Sequence, residues 1–352
     1  MVTTVIETPI ALAELKRLSR RIGSDIRLVQ GPGGNTSLKI DDVLWVKASG
    51  AWLADAADKD IFVPVDLPGA RRALADGLEK MPVISLPVAP DGAPALRASI
   101  ETSLHALLPQ SVVLHVHAVN SIAWAARMDA KDELAQRLRG LVYATLPYHR
   151  PGLPLSRAVA ALIARQVPDV LILGNHGLVV AARDCESGEA LMHEVERRLE
   201  LPARTAPAPD LARLCALCAD GAYRPASEAV CHRLATEPRS LELATTGSLY
   251  PDHVVFLGPA LAAFSAGRSL TELRREFGER GIAMPMALLI PGAGAIVRAD
   301  ILPAAEAMLQ CLALVVERIP PQARVSYLPA EEEQALLDWD AERYRRQVTA
   351  AR

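Results

Sequence analysis

Two histidines one residue apart, His115 and His117 in the run SVVLHVHAV (111–119), are the side chains whose spacing most directly implies chemistry. Alternate residues of a strand share a face. As a strand, the run points both imidazoles one way and leaves Val112, Leu114, Val116 and Ala118 as an apolar opposite face. Two neighbouring imidazoles are half of a metal site. Zinc and other divalent transition metals suit imidazole nitrogen, and a catalytic site takes three protein ligands and keeps one position open for water or substrate. The third ligand must come from elsewhere. VPDVLILGNHGLVVAA (167–182) reads as strand, sharp turn at 174–177, and strand, with His176 in the turn. Ligands in α/β sheets collect at strand ends, so His176 is the natural third nitrogen.

A carboxylate stands one element away. In RASIETSLHALLP (97–109) the apolar positions Ile100, Leu104 and Leu107 recur at helical spacing, and Pro109 ends the pattern. Glu101 and His105 lie four apart on an adjacent stripe. The helix leads directly into the His-x-His strand, which marks Glu101 as a candidate acid or base. Upstream, GPGGNTSLKI (31–40) sets three glycines before Asn35, Thr36 and Ser37 and continues into a strand pattern through VLWVKASG (43–50). Glycines admit close approach of the main chain and the polar side chains add hydrogen bonds. The stretch is either a plain tight turn or a cradle for an anion, and its spacing is not that of a phosphate loop opening a helix. LPYHRPGLPL (146–155) is a Pro-rich loop bearing His149 and Arg150, of the kind that lines sites or crosses surfaces.

The elements that must position these residues read as α/β. An amphipathic helix over 8–22 follows a Thr that can cap it, a small helix near 68–78 sits in an otherwise irregular connection over 51–95, SIAWAARM continues the His-x-His strand as helix, and helices span 155–166 and 185–201. PARTAPAP (202–209) has no periodicity and divides the chain into 1–204 and a smaller α/β unit, 205–352. In that second unit the patterns predict helices at 209–219, 227–236, 269–280, 302–318 and 330–348, a strand at DHVVFLG (252–258), and a strand pair in MALLIPGAGAIV with a hairpin turn at PGAG. Cys215 and Cys218 form a CxxC with Cys231 and His232 downstream; lying in apolar helical patterns, they are expected in the core rather than around zinc.

Composition narrows the function class. The chain has 352 residues, 51% of them hydrophobic, and a net charge of −3 with both signs interspersed. That suffices for a large core and supplies neither a basic nucleic-acid stripe nor a polybasic membrane face. No uncharged stretch reaches the roughly 18 residues that span a bilayer, and MVTTVIETPIALAELKRL has no basic segment leading into an apolar run. Five cysteines agree with reduced thiols. A cytoplasmic protein with a small-molecule partner, no nucleic acid and no membrane is expected.

Together GPGGNTS, VKASG, RASIETSLH, LHVHAVNS and GNHGLV resemble the class II aldolase/adducin family, closest to the rhamnulose-1-phosphate-aldolase-like branch that also occurs fused to a short-chain dehydrogenase. SLYPDHVVFLGP, LLIPGAG and DWDAERYRR look like the tail of that branch, and no dehydrogenase domain is expected within these residues. The resemblance implies a three-layer α/β/α domain with a central mixed sheet, plus a smaller C-terminal α/β domain. It implies Zn2+, or another divalent transition metal, on His115, His117 and His176, Glu101 as acid/base, and a substrate phosphate bound by Gly34, Asn35, Thr36, Ser49, Gly50 and Ser99. His105, His149 and Arg150 are further candidates. Two departures stand out: Ile100 follows Ser99 where the well-studied aldolases have a second serine, and neither Tyr143 nor Tyr148 aligns with the tyrosine that serves them as proton donor. The implied function is a zinc-dependent lyase that cleaves or forms an aldol bond of a ketose phosphate or hydroxy-keto sugar acid through a metal-stabilised enediolate. Decarboxylation, epimerisation or dehydration on the same site is an alternative, and an adducin-like scaffold without metal is an alternative of another class. A homo-oligomer, such as a tetramer, is expected.

Overall fold

The computed structural model describes residues 9–84, 96–264, 269–281 and 283–350, and these pack as two units. The first comprises Met1–Ala125, Ala130–Glu200 and Trp339–Arg352; the second comprises Ala126–Asp129 and Leu201–Asp338. The expected cut between 204 and 205 is simpler than this partition, in which the chain's last segment belongs with its first.

The first unit runs α1 (Leu12–Ser24), β1 (Asn35–Ile40), β2 (Val43–Lys47), β3 (Phe62–Asp66), α2 (Leu67–Ala75), α3 (Thr102–Leu107), β4 (Val112–Val116), α4 (Val119–Ala125), α5 (Lys131–Arg137), β5 (Tyr143–Leu146), α6 (Leu153–Ile163), β6 (Val170–Leu173), β7 (Gly177–Ala182) and α7 (Cys185–Arg198). Its seven strands form one mixed sheet ordered β3-β2-β1-β4-β7-β6-β5. The β5–β6 pair is parallel and the others are antiparallel. The His-x-His strand therefore sits at the centre of the sheet. Alternation then builds the layers. Val113 of β4 and Val179 and Ala181 of β7 pack with Leu104 and Leu108 beside α3 and Leu155 and Val159 of α6. Val112 and Leu114 face the other way, against Gly188 of α7. Helix α1 lies on that same side, with Leu15, Leu18 and Ile22 buried at helical spacing. Each such buried aliphatic side chain contributes about 1.5–3 kcal/mol, so the core on both faces holds the central strands rigidly.

The second unit contains α8 (Leu211–Leu217), β8 (Tyr223–Pro225), α9 (Ala229–Thr236), α10 (Pro238–Thr246), α11 (Pro251–Leu257), β9 (Ala262–Ala263), α12 (Leu270–Glu279), β10 (Ala287–Ile290), β11 (Gly294–Arg298), α13 (Pro303–Val316) and α14 (Ala330–Asp338). Its sheet is ordered β8-β11-β10-β9, and β10 and β11 form the expected hairpin. The last helix, α15 (Asp340–Ala350), packs with the first unit. The three-layer α/β unit with a central mixed sheet and the smaller α/β unit are thus both present.

Several local readings are corrected. DHVVFLG is helix α11, not a strand: Pro251 opens it and every residue from Pro251 to Leu257 is buried, so no polar face is left to reveal a helical period. The expected helix 330–348 is two, broken at Trp339. Helix α3 begins only at Thr102, because residues 97–99 run beside the end of β2: Ala98 bridges Ala48, Ser49 N donates to Arg97 O, and Ser99 N donates to Lys47 O. The stretch 51–95 contains strand β3 as well as a helix. Cys215 is exposed and Cys218 half-buried rather than in the core, whereas Cys231 and His232 are buried. The Thr8 cap lies outside the described residues, and α1 starts at Leu12 with no side-chain cap.

Candidate metal centre

His115 is the penultimate residue of β4, and His117 directly follows the strand's end, with Ala118 between it and α4. In the neighbouring antiparallel strands Asn35 is paired with His115 on one side and Val179 on the other. The turn from β6 into β7 carries His176. Asn175 adopts φ 49° there, a left-handed conformation that Asn tolerates better than most residues. Gly177 is required for a different reason: a methyl at this position would lie 2.6 Å from the Val116 carbonyl oxygen. The strands approach so closely that His176 is brought against β4.

The three rings converge. Their ligating atoms lie within 4.8 Å of one another, all three residues are buried, and no other such group occurs among the described residues. The ring centroids are 4.9, 4.9 and 5.3 Å apart, and His117 Nε2 lies 3.1 Å from His115 Nε2. His115 Nδ1 contacts the Leu178 carbonyl oxygen at 3.0 Å. A carbonyl only accepts, so Nδ1 carries the proton and Nε2 offers its lone pair to the cluster, the usual way in which an outer partner orients a metal-binding imidazole. The His115 Nε2 lone pair at that distance takes either the N–H of His117 or a cation. Zinc–nitrogen bonds of 2.0–2.1 Å at tetrahedral angles place ligand nitrogens about 3.3 Å apart, close to the His115–His117 separation of 3.1 Å, and a donor set of three imidazoles suits a divalent ion of the zinc type.

Glu101 is the cap residue of α3 and its carboxylate faces this cluster. Oε2 lies 3.3 Å from His115 Nε2 and Oε1 lies 3.4 Å from His176 Nε2, while Asn35 Nδ2 donates to Oε2 at 2.8 Å. Burial by itself would push this carboxyl up. The imidazoles of His115, His176 and His117, together with the Asn35 amide, outweigh burial and hold it at about 2, so it is ionised at neutral pH. Behind it, burial first and then the charges of His115 and Lys39 push the His105 imidazole down to about 3. His105 is neutral and fully buried, and its Nδ1 meets Ser37 Oγ at 2.7 Å. It buttresses α3 on β1.

The residues expected around a phosphate separate. Gly34 has φ 58°, and a methyl there would meet the His115 carbonyl at 2.7 Å. Asn35 faces the histidines. Thr36, one residue on, points to the opposite face, where its hydroxyl meets Ser19 Oγ of α1 at 2.7 Å and is fully buried. Ser49, Gly50 and Ser99 lie together where residues 97–99 run beside β2. His149 and Arg150 are half-buried in the loop before α6, with the Arg150 guanidinium 5.3 Å from the Trp339 ring centroid. Sequence reasoning missed Lys47, which is buried and donates to Pro32 O at 2.8 Å and Ala51 O at 2.7 Å, tying the glycine-rich turn to the Ser49–Ala51 turn. A lysine closing the apolar run VLWV is the signal that marks it.

The family model described as Class II Aldolase and Adducin N-terminal domain matches residues 13–202. A Bacillus subtilis (strain 168) protein named Uncharacterized oxidoreductase YuxG is 32% identical over 197 residues, 51% of this chain, and the match spans only 28% of that protein's length. Among solved structures, the N-terminal class II aldolase domain of a conserved protein from Thermoplasma acidophilum is 28% identical, covering 56% of this chain and 97% of that one with a TM-score of 0.45. An aldolase II superfamily protein from Pseudomonas syringae is 19% identical over 55% of this chain and 74% of that one, with a TM-score of 0.41. No helix among the described residues is long and apolar enough to cross a membrane.

Proposed function

The chain belongs to the class II aldolase and adducin family, and from that premise we propose that it is a metal-dependent lyase, with residues 1–204 as its catalytic part, acting on a hydroxy-keto sugar compound by aldol cleavage or its reverse. The observation that carries this reading is the convergence of His115, His117 and His176 with the Glu101 carboxylate 3.3–3.4 Å from two of them. The three imidazoles are the residues that would hold the ion, Zn2+ being the one that best suits this donor set. A bound divalent ion supplies Lewis acidity, polarising a carbonyl and stabilising negative charge that develops on its oxygen.

The chain's own residues do the rest. Glu101, ionised and fixed by Asn35, is placed to take a proton from a substrate hydroxyl and return one to carbon, provided the substrate binds within hydrogen-bond reach. Asn35 Nδ2 holds the direction of the carboxylate by donating to Oε2, so its loss would free Glu101 to rotate. The His115 Nδ1 contact to Leu178 keeps the imidazole tautomer and orientation constant. Burial of all four groups strengthens every charge interaction among them.

The test is metal analysis of the purified chain, followed by a screen of hydroxy-keto sugars and sugar acids for aldehyde release. One divalent ion per chain with aldehyde as product supports the reading. Release of carbon dioxide, or epimerised or dehydrated product, would move it to the corresponding reaction on the same site. A chain without stoichiometric metal would instead be a binding protein or scaffold. A cytoplasmic location and a homo-oligomeric assembly, such as a tetramer, belong to the same proposal; the latter is read by light scattering.

A further inference from the structure

Helix α3, whose cap residue is Glu101, runs for six residues, Thr102–Leu107, with no side-chain cap. An isolated helix of that length does not hold itself together. What fixes α3, and the Glu101 carboxylate with it, is therefore its packing. Leu104 and the adjoining Leu108 sit in the core with Val113, but apolar burial is non-directional and leaves the helix free to slide and turn. Direction comes from side-chain hydrogen bonds. Asn35 Nδ2 donates to Glu101 Oε2 at 2.8 Å, Ser103 Oγ meets Ser156 Oγ of α6 at 2.7 Å, and His105 Nδ1 meets Ser37 Oγ at 2.7 Å.

The two bonds to β1 are in register. Asn35 and Ser37 share a face of the strand and stand about 6.7 Å apart, while Glu101 and His105, joined by the His105 N–H to Glu101 O bond at 3.2 Å, are separated by a helical rise of about 6 Å. One bond is a pivot, whereas two fix a line. Without the Ser37–His105 bond, α3 can swing about Asn35, and the carboxylate that lies 3.3 Å from His115 Nε2 and 3.4 Å from His176 Nε2 swings with it. The imidazole is not the side chain that stability alone would select. His105 and Ser37 are both fully buried, and His105 Nε2 meets no protein partner among the described residues. A buried nitrogen left unmet lowers stability, and an apolar pair carries no such cost. A group that costs stability is kept for what it does.

We infer that His105 and Ser37 are positioning residues for the Glu101 carboxylate: their bond sets the angle of α3 on β1 and thereby the direction in which the carboxylate meets the three imidazoles. The inference rests on the lyase reading for its kinetic arm alone. The double variant Ser37→Ala/His105→Leu removes both partners together, so neither is left unmet, and keeps Glu101, Asn35 and the metal-binding histidines. Its urea midpoint is expected to equal or exceed that of the parent chain, with Zn2+ affinity within threefold. Because a misplacement of about 1 Å can cost about 100-fold in rate, kcat is expected to fall at least tenfold with KM within threefold. In a crystal structure of the variant, the Asn35 Nδ2–Glu101 Oε2 separation is expected to open beyond the hydrogen-bond limit of about 3.2 Å. A purely structural role predicts the reverse, a lower midpoint with Glu101 in place. Either a kcat within threefold of the parent or a carboxylate still bonded to Asn35 overturns the inference. If the parent chain turns over none of the screened compounds, the lyase reading fails and the crystal structure decides this inference by itself. Should the double variant not fold, Ser37→Ala, which keeps the imidazole, is read by the same two measures.

Discussion

Replacing Glu101 by Gln removes one charge and almost no volume from the centre of the site. At an effective dielectric of about 20, the carboxylate, 3.3 Å from His115 Nε2 and 3.4 Å from His176 Nε2, attracts each unit of positive charge that the cluster holds at such a distance by about 5 kcal/mol. Glutamine forfeits that attraction and cannot carry a proton, yet its carbonyl can still accept from Asn35 Nδ2, so the local geometry is kept. Loss of a general acid–base group costs about 10²- to 10⁴-fold in turnover, about 3–5 kcal/mol in the barrier at 1.36 kcal/mol per decade. None of the three imidazoles is touched. The variant is therefore expected to retain one metal per chain by mass spectrometry while aldehyde release, followed through a coupled dehydrogenase, falls by at least 100-fold. Turnover within threefold of the parent chain, with metal content intact, would remove Glu101 from the mechanism. Loss of the metal would show that Glu101 acts as a ligand.

Three further outcomes are expected. His176→Ala should weaken metal binding by more than the roughly 10- to 100-fold that changes in outer partners produce; a competition titration against a chelator reads this, and unchanged affinity would exclude the residue from the metal set. Gly177→Ala puts a methyl 2.6 Å from a backbone oxygen of β4, which the strand can relieve only by moving His176; unfolding in urea should show a loss of about 1–3 kcal/mol together with weaker metal binding, and a stable variant with full metal affinity would contradict the close-approach argument. In the second unit, burial raises the Glu237 carboxyl but Arg204 and Ser240 outweigh it and hold it at about 2, against an ordinary 4.5. A carboxylate depressed in the folded state contributes stability that is complete above pH 4.5 and lost as pH falls toward 2, here at most about 3 kcal/mol. The parent chain should lose more stability between pH 5 and pH 3 than Glu237→Gln does; equal losses would refute the assignment.

Much of the site was legible because its signals are local. Period-two alternation in VVLHV declared a strand with imidazoles on one face, and a strand half-lined by polar groups always shows that period. Asn and Gly flanking His176 declared the turn, since few residues accept its backbone. Other features left no local trace. Helix α11 is buried all round and so carries no amphipathic period, which is why DHVVFLG reads as a strand. Thr36 looks like a neighbour of Asn35 in a ligand loop, and only the pairing of Asn35 with His115 reveals that β1 has already begun and turns Thr36 to the other face.

The amino-acid sequence by itself determined the family, the α/β class, the three imidazoles and the carboxylate, because residue type and short-range spacing encode them. Tertiary structure alone decided which expected anion contacts share a face, and that residues 339–350 return across the length of the chain to close on Gly50 and Gly152. The physical reason is separation: strand pairing and helix docking join residues hundreds of positions apart through surface complementarity, which no periodicity in either segment records.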